Sequence, residues 1–437
     1  MNARKVKRLT IHPSGPLTGT ITVPGDKSIT HRAIIFGAMA TGTSTVEGYL
    51  PSEDCRATIA AFRRLGVEIT THRRTLTIRS AGWRAFSGPD QVIDCGNSGT
   101  TSRLLMGLLS GMPFRSSLTG DDSLRRRPMR RVAGPLATMG ADVRLNQGEY
   151  LPAVIEGQPL KGIDYASPVA SAQIKTCLLL AGITARGTTR VTEPSLSRDH
   201  TERMLPAFGV ELTRDGLSVA VEGGQSLTPA DVVVPGDISS AAFPIVAATL
   251  VPGSEITLTN VGVNPTRAGI LEILTRMGAN ITRVNEREAG GEPVADLIVR
   301  HAPLKGVEIE PEQVPAAIDE FPILFAAAAL AEGDTRVTGA GELRVKESDR
   351  IAAMARELAR VGVNVEELPD GLVVRGPSIV KGAACEAYGD HRLAMSMAVL
   401  GMVADSHLTV EADPIATSFP GFADLFSTLG ATIEKGG

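Results

Sequence analysis

The sequence predicts an α/β repeat protein, six related βαβαββ-like units shared between two domains. Three observations predict it. A short phrase returns six times, each return has its own polar helix start upstream, and one tetrapeptide recurs about half a chain apart. The phrase is an apolar residue, two variable residues, a bulky apolar residue, Gly, a small residue, one variable residue and a β-branched residue or Leu. It reads Phe62-Arg63-Arg64-Leu65-Gly66-Val67-Glu68-Ile69 and recurs around Gly140, Gly209, Gly278, Gly362 and Gly430. Each copy is the signature of a helix end, a Gly C-cap and a following strand. Successive glycines lie roughly 70 residues apart, a little more between the fourth and fifth.

Upstream of each Gly phrase lies a second helix with a polar start. The starts are Gly25-Asp26-Lys27-Ser28, Asn97-Ser98-Gly99-Thr100, Ser171-Ala172-Gln173, Gly236-Asp237-Ile238-Ser239, Asp319-Glu320-Phe321 and Gly389-Asp390-His391-Arg392. Each precedes a mostly apolar run, such as Ile323-Leu324-Phe325-Ala326-Ala327-Ala328-Ala329, and a helix apolar on nearly all faces is a buried one. A Gly or Asp break and a β-rich run such as Ile256-Thr257-Leu258-Thr259 follow. Each unit therefore reads as buried helix, strand, second helix, Gly cap and strand, with a further strand closing it.

The tetrapeptide Val23-Pro24-Gly25-Asp26 returns as Val234-Pro235-Gly236-Asp237, with three Gly phrases between the two copies and three after. Pro and Gly end a strand and turn the chain there. One domain is expected over 24–235. The other is expected over 1–23 and 236–437, with 1–23 returning as a strand. Two chain crossings, at 23–26 and 234–237, make a natural hinge.

Composition narrows the function. The chain has 437 residues, 43% hydrophobic, and a net charge of −4, so bulk attraction to nucleic acid is not expected. No apolar run reaches the roughly 18 residues of a membrane span. The basic start, Met1 to Thr10, has no apolar stretch behind it and does not read as a signal peptide. Four scattered cysteines, Cys55, Cys95, Cys177 and Cys385, have no paired spacing, which points to a reducing cytoplasm rather than a disulfide or zinc framework.

Helix N-termini suit anions, although Ser, Asp and Asn there can be ordinary caps. Cations at a helix start need another reason, and Lys27, His391 and Arg392 stand at such starts. Lys27, Ser28 and Arg32 place two cations and a hydroxyl on one side of one helix, suited to a phosphate or carboxylate. Pro-Gly-Asp-Lys-Ser superficially resembles a P-loop, but the Gly spacing of that motif is missing. Gly120 to Arg131 holds five arginines, and Arg127, just before Pro128, is the one restrained toward an extended backbone. Asp319-Glu320 opens a very apolar helix; either carboxylate could cap it, or serve beside apolar packing as a base. Lys346 and Arg350 stand one helical turn apart with Glu347 beside them. No zinc, dinucleotide or nucleophile-elbow motif appears, so no cofactor and no metal are expected. The inventory suits two anionic small molecules and proton transfer.

The blocks Pro24-Gly25-Asp26-Lys27-Ser28 with His31-Arg32, Asn97-Ser98-Gly99-Thr100 with Arg103, Arg127-Pro128-Met129, Ser171-Ala172-Gln173, Arg198-Asp199-His200-Thr201-Glu202, Asp319-Glu320, Leu343 to Arg350 and Asp390-His391-Arg392 resemble the 5-enolpyruvylshikimate-3-phosphate synthase family, in family order over nearly the whole chain. Ala172 and the Arg-Asp-His-Thr-Glu block look like its second, bacterial branch. The resemblance implies two inside-out α/β-barrel domains of three repeats each, closing over a cleft. It implies a transferase that moves the enolpyruvyl group of phosphoenolpyruvate to the 5-hydroxyl of shikimate-3-phosphate, in a monomer. It implies catalytic roles for Lys27, Asp319, Glu347 and His391. Lys27, Ser28, Arg32, Ser171, Gln173, Arg198, Asp319 and Lys346 would bind shikimate-3-phosphate. Lys27, Gly99, Arg127, Gln173, Arg350 and Arg392 would bind phosphoenolpyruvate, with glyphosate competing near Gly99. One departure stands out. Thr417-Ser418-Phe419-Pro420 lies where many relatives carry Lys before Thr-Phe-Pro, so a C-terminal lysine contact is not carried over. The sister transferase acting on UDP-N-acetylglucosamine carries a reactive Cys in its Arg-rich loop, and Gly120 to Arg131 has none. A non-catalytic anion-binding scaffold would not need Asp319 and Glu347.

Overall fold

The computed structural model describes residues 7–436; the first residues of the basic N-terminal stretch and Gly437 lie outside them. The helices are α1 (Lys27–Met39), α2 (Glu53–Arg64), α3 (Gly99–Ser110), α4 (Arg130–Thr138), α5 (Ala172–Thr184), α6 (His200–Met204), α7 (Ile238–Leu250), α8 (Gly269–Arg276), α9 (Val314–Ala317), α10 (Phe321–Ala328), α11 (Arg350–Arg360), α12 (His391–Gly401) and α13 (Phe422–Thr428). Six of them, α1, α3, α5, α7, α10 and α12, begin at the six polar starts and are buried along most of their length. After each companion helix the chain turns at Gly66, Gly140, Gly209, Gly278, Gly362 or Gly430, with φ of 92°, 94°, 76°, 100°, 87° and 103°. Only Gly adopts that left-handed conformation without a Cβ penalty, which is why Gly recurs there.

The strands form six four-stranded sheets among the described residues. One sheet pairs Val232–Val233 with Thr41–Glu47 in parallel, then Thr41–Glu47 with Thr75–Ala81 and Thr75–Ala81 with Glu68–His72, both antiparallel. The other five repeat this pattern of one parallel and two antiparallel pairings.

The chain divides into two compact units. The first holds Gly25–Val234 and Glu288–Glu292; the second holds the chain up to Pro24, Pro235–Arg287 and everything from Pro293. Each has its own hydrophobic core. Residues 288–292 depart from a simple boundary at 236. They are the tip of the hairpin made by Asn280–Ala289 and Glu292–Arg300, whose turn is Gly290-Gly291, and Glu292 Oε1 lies 2.8 Å from His200 Nδ1, both buried. The N-terminal segment returns as two strands. Arg8–Ile11 fills an interior place in one sheet, antiparallel to Leu408–Glu411 and Ile433–Gly436, and Thr18–Ile21 pairs in parallel with Glu255–Gly262.

Candidate active site

In the first unit Lys27, Ser28, Gly99, Ser171 and Gln173 sit at the starts of α1, α3 and α5. Asp26 Oδ1 caps α1 by accepting the Ile29 N–H at 2.8 Å. Lys27 then occupies a position the helix dipole disfavours, and Asp54 Oδ2 meets its Nζ at 3.0 Å. Arg32, one turn on, is buried and already committed: Nη1 donates to Ser28 O at 3.0 Å, Nη2 to Thr176 Oγ1 at 2.9 Å and Nε to Thr201 Oγ1 at 2.7 Å. Burial lowers its pKa to about 10, with Glu202 working the other way. It therefore remains a cation at neutral pH, with one further N–H on each terminal nitrogen.

A buried chain of side-chain hydrogen bonds ties α1, α2 and α3 together. His31 Nδ1 lies 2.7 Å from Thr58 Oγ1, Thr58 lies 2.7 Å from Thr101, and the Thr101 hydroxyl donates to Ser98 Oγ at 2.7 Å. Burial pushes the His31 pKa down to about 3, so its ring is neutral at neutral pH and sets geometry without adding charge. Ser98 caps α3, which puts Gly99 in its first turn. A Cβ on Gly99 would fall 2.8 Å from Arg103 Nη1 and 3.6 Å from Arg127 Nη1. Arg127 is extended (φ −84°, ψ 135°), and its Nη2 donates to Asn97 Oδ1 at 2.6 Å and to Ser123 Oγ at 3.2 Å. Arg103 Nη1 donates to Gln173 Oε1 at 2.8 Å, and Ser171 caps α5. Arg103, a residue of the matched blocks given no role in the sequence analysis, thus lies against Gly99 and bonds Gln173, and its Nη2 donates at 3.3 Å to the carbonyl of Pro128, next to Arg127. Arg198 is partly exposed and close enough to Arg32 for its charge to be felt there.

In the second unit the starts of α10, α11 and α12 converge on Asp319. Its Oδ1 lies 3.7 Å from Lys346 Nζ and 3.5 Å from Arg350 Nη1, and its Oδ2 lies 4.0 Å from Arg392 Nη2. The carboxylate expected beside apolar packing is therefore ringed by cations. Arg350 is fully buried; burial alone would lower its pKa, but Asp390, Glu347 and Asp319 outweigh burial and raise it. Its Nε donates to Asp390 Oδ2 at 2.7 Å and its Nη2 to Glu347 Oε2 at 2.7 Å. Asp390 also caps α12, so His391 and Arg392 begin that helix. Arg392 Nη1 donates to Asp319 O at 2.9 Å.

Two readings are corrected here. Lys346 and Arg350 do not share a helix: α11 starts only at Arg350, capped by Asp349, and Lys346 ends a 3-10 turn over Gly341–Val345. Glu320 caps nothing with its side chain. Both of its oxygens lie 2.8 Å from Arg267 Nη1, and it accepts from Ser239. Arg267, buried and far away in sequence, had no motif to mark it.

A family profile described as EPSP synthase (3-phosphoshikimate 1-carboxyvinyltransferase) matches residues 11–426. The chain belongs to the EPSP synthase family. A 3-phosphoshikimate 1-carboxyvinyltransferase of Geobacter sulfurreducens is 54% identical over 423 residues, 96% of this chain and 99% of that protein. The solved EPSP synthase of Acinetobacter baumannii is 46% identical, covers 99% of this chain and 100% of its own, and superposes with a TM-score of 0.90. The enolpyruvyl transferase NikO of Streptomyces tendae, 19% identical over 98% of this chain and 99% of its own, shares the fold with a TM-score of 0.79. This EPSP synthase family member is thus a transferase with the two-domain enolpyruvyl transferase fold.

Proposed function

We propose the following division of labour for enolpyruvyl transfer from phosphoenolpyruvate to shikimate-3-phosphate, the step it performs in aromatic amino-acid biosynthesis. The observation that carries it is Asp319, a carboxylate with Lys346, Arg350 and Arg392 within 4.0 Å. A carboxylate so placed can take the proton of an attacking hydroxyl while the cations hold anionic substrate. The 5-hydroxyl attacks C2 of phosphoenolpyruvate, its proton passes to Asp319, and C3 gains a proton from Lys27 or Glu347. The tetrahedral adduct then returns a C3 proton to the deprotonated Lys27 or Glu347 and loses phosphate from C2, breaking C–O. His391 supports this chemistry from the start of α12. Lys27, Ser28, Arg32, Ser171, Gln173, Arg198, Asp319 and Lys346 bind shikimate-3-phosphate. Lys27, Gly99, Arg127, Gln173, Arg350 and Arg392 bind phosphoenolpyruvate, and glyphosate competes at Gly99.

The sister chemistry on UDP-N-acetylglucosamine is disfavoured by the thiols. All four cysteines are buried, and burial pushes each pKa up to about 12, so none is a reactive thiolate. The same unpaired, buried thiols fit the reducing cytoplasm; no helix among the described residues is long and apolar enough to cross a membrane. The test is phosphate release from phosphoenolpyruvate with shikimate-3-phosphate or UDP-N-acetylglucosamine as acceptor. Release with the first alone is expected. Release only with the second, or with neither, overturns the reading.

A further inference from the structure

The first unit buries a lysine and two glutamates that none of the roles above uses. Lys175 stands at the end of the first turn of α5, in a run buried from Ile174 to Ile183. A cation there opposes the helix dipole, and a buried one needs carboxylates. It has two: Nζ lies 2.7 Å from Glu193 Oε2 and 2.7 Å from Glu202 Oε1.

Charge balance would be satisfied by one of them, and Glu193 makes further bonds. Its Oε1 accepts the backbone N–H of Ser171 at 2.7 Å, and its Oε2 accepts the Ser197 hydroxyl at 2.8 Å. Ser171 is the cap of α5, one residue pair ahead of Gln173, and Ser197 directly precedes Arg198. One carboxylate, 3% exposed, thus fastens the start of α5 to the segment that carries Arg198. A group serving only to neutralise Lys175 would have no reason to bond both flanks.

We propose that Glu193 is a positioning residue for the shikimate-3-phosphate site, fixing Ser171 through its N–H and Arg198 through Ser197. The inference rests on the assignment of Ser171 and Arg198 to that ligand. Glu193 is enclosed by its protein donors and acts through the residues it holds.

Glu193→Gln keeps the size and removes the charge, and its amide nitrogen cannot accept a bond. Ser197→Ala removes one bond and leaves every charge in place. Equilibrium binding of shikimate-3-phosphate and the KM for each substrate are measured on both variants and on the unaltered protein. Glu193→Gln should weaken shikimate-3-phosphate binding about tenfold or more, the scale of a lost bond to a buried charged group, with the phosphoenolpyruvate KM little changed. Ser197→Ala should move the same constant in the same direction by a smaller factor, and it decides the matter alone if Glu193→Gln does not fold. Unchanged shikimate-3-phosphate binding in the folded variants, or an equal rise in both KM values, overturns the role. If the unaltered protein itself fails to bind shikimate-3-phosphate, the assignment beneath falls and takes this inference with it. If it binds and the variants match it, only the positioning role falls.

Discussion

At the scale of single residues, environment decides what each titratable group can do. Asp319 faces three cations within 4.0 Å, and its proposed role is to take the proton of the attacking hydroxyl. Asp319→Asn keeps the shape and loses the acceptor. Turnover should fall by about 10² or more, the usual scale of a positioned acid or base, while shikimate-3-phosphate binding survives in part. Near-normal turnover in the variant would leave Asp319 a purely structural role. His31 makes the opposite case. Unfolded, a histidine takes up a proton near pH 6.5; folded, His31 does so only near pH 3, because burial resists the charge. Between those values the unfolded chain binds the extra proton, so stability falls as pH falls from 6.5 toward 3. At about 1.4 kcal/mol per pH unit, His31 alone should remove about 2 kcal/mol between pH 6.5 and pH 5. Denaturant unfolding at both values, for the native chain and for His31→Asn, isolates this contribution. Equal pH slopes in the two proteins would refute it.

At the scale of elements, the helix starts were legible and their partners were not. Local capping chemistry wrote Asp26, Ser98, Ser171, Asp237 and Asp390 into the sequence, and each caps its helix in the structure. The pairing of Lys346 with Arg350 on one helix failed because Asp349 is the stronger N-cap and starts α11 after Lys346. Arg267 against Glu320 and Glu193 against Ser171 join segments remote in sequence, and no local period or motif reports such a contact. Helix crossing is a similar case. At Gly107, α3 meets α5 so closely that a Cβ would lie 2.2 Å from the Cys177 carbonyl oxygen. Gly107→Ala gains about 1 kcal/mol of helix propensity. The clash is with backbone, so the helices must separate, and overpacking of this kind costs about 1–3 kcal/mol. Net destabilisation is expected, with a raised phosphoenolpyruvate KM because Gly99 and Gln173, proposed contacts for that ligand, ride on these two helices. A denaturation midpoint at or above that of the native chain would show that the crossing has room.

At the scale of the whole molecule, repetition made the architecture readable and the chain path sets what can be separated. The six Gly phrases count the units, and the two Val-Pro-Gly-Asp tetrapeptides lie where the chain passes from one compact unit to the other. The hairpin tip at 288–292 carries no such signal, since a hairpin's own residues do not name the surface they meet. The second unit is discontinuous, because Arg8–Ile11 fills a place between two C-terminal strands. The first is nearly continuous: residues 25–234 contain one complete core and three complete sheets, and lack only 288–292. A single core of this size lies within the range that folds alone. The fragment 25–234 should therefore fold cooperatively, at reduced stability because His200 loses Glu292. It also retains every proposed shikimate-3-phosphate contact except Asp319 and Lys346. Ligand that binds only the folded state raises stability by mass action, so shikimate-3-phosphate should raise the fragment's Tm, at higher concentration than the full chain needs. Circular dichroism melts with and without the ligand measure both effects. A fragment that never folds would show that 288–292 or the second unit is required for this core. A fragment that folds and shows no shift at millimolar ligand would move the dominant contacts to Asp319 and Lys346.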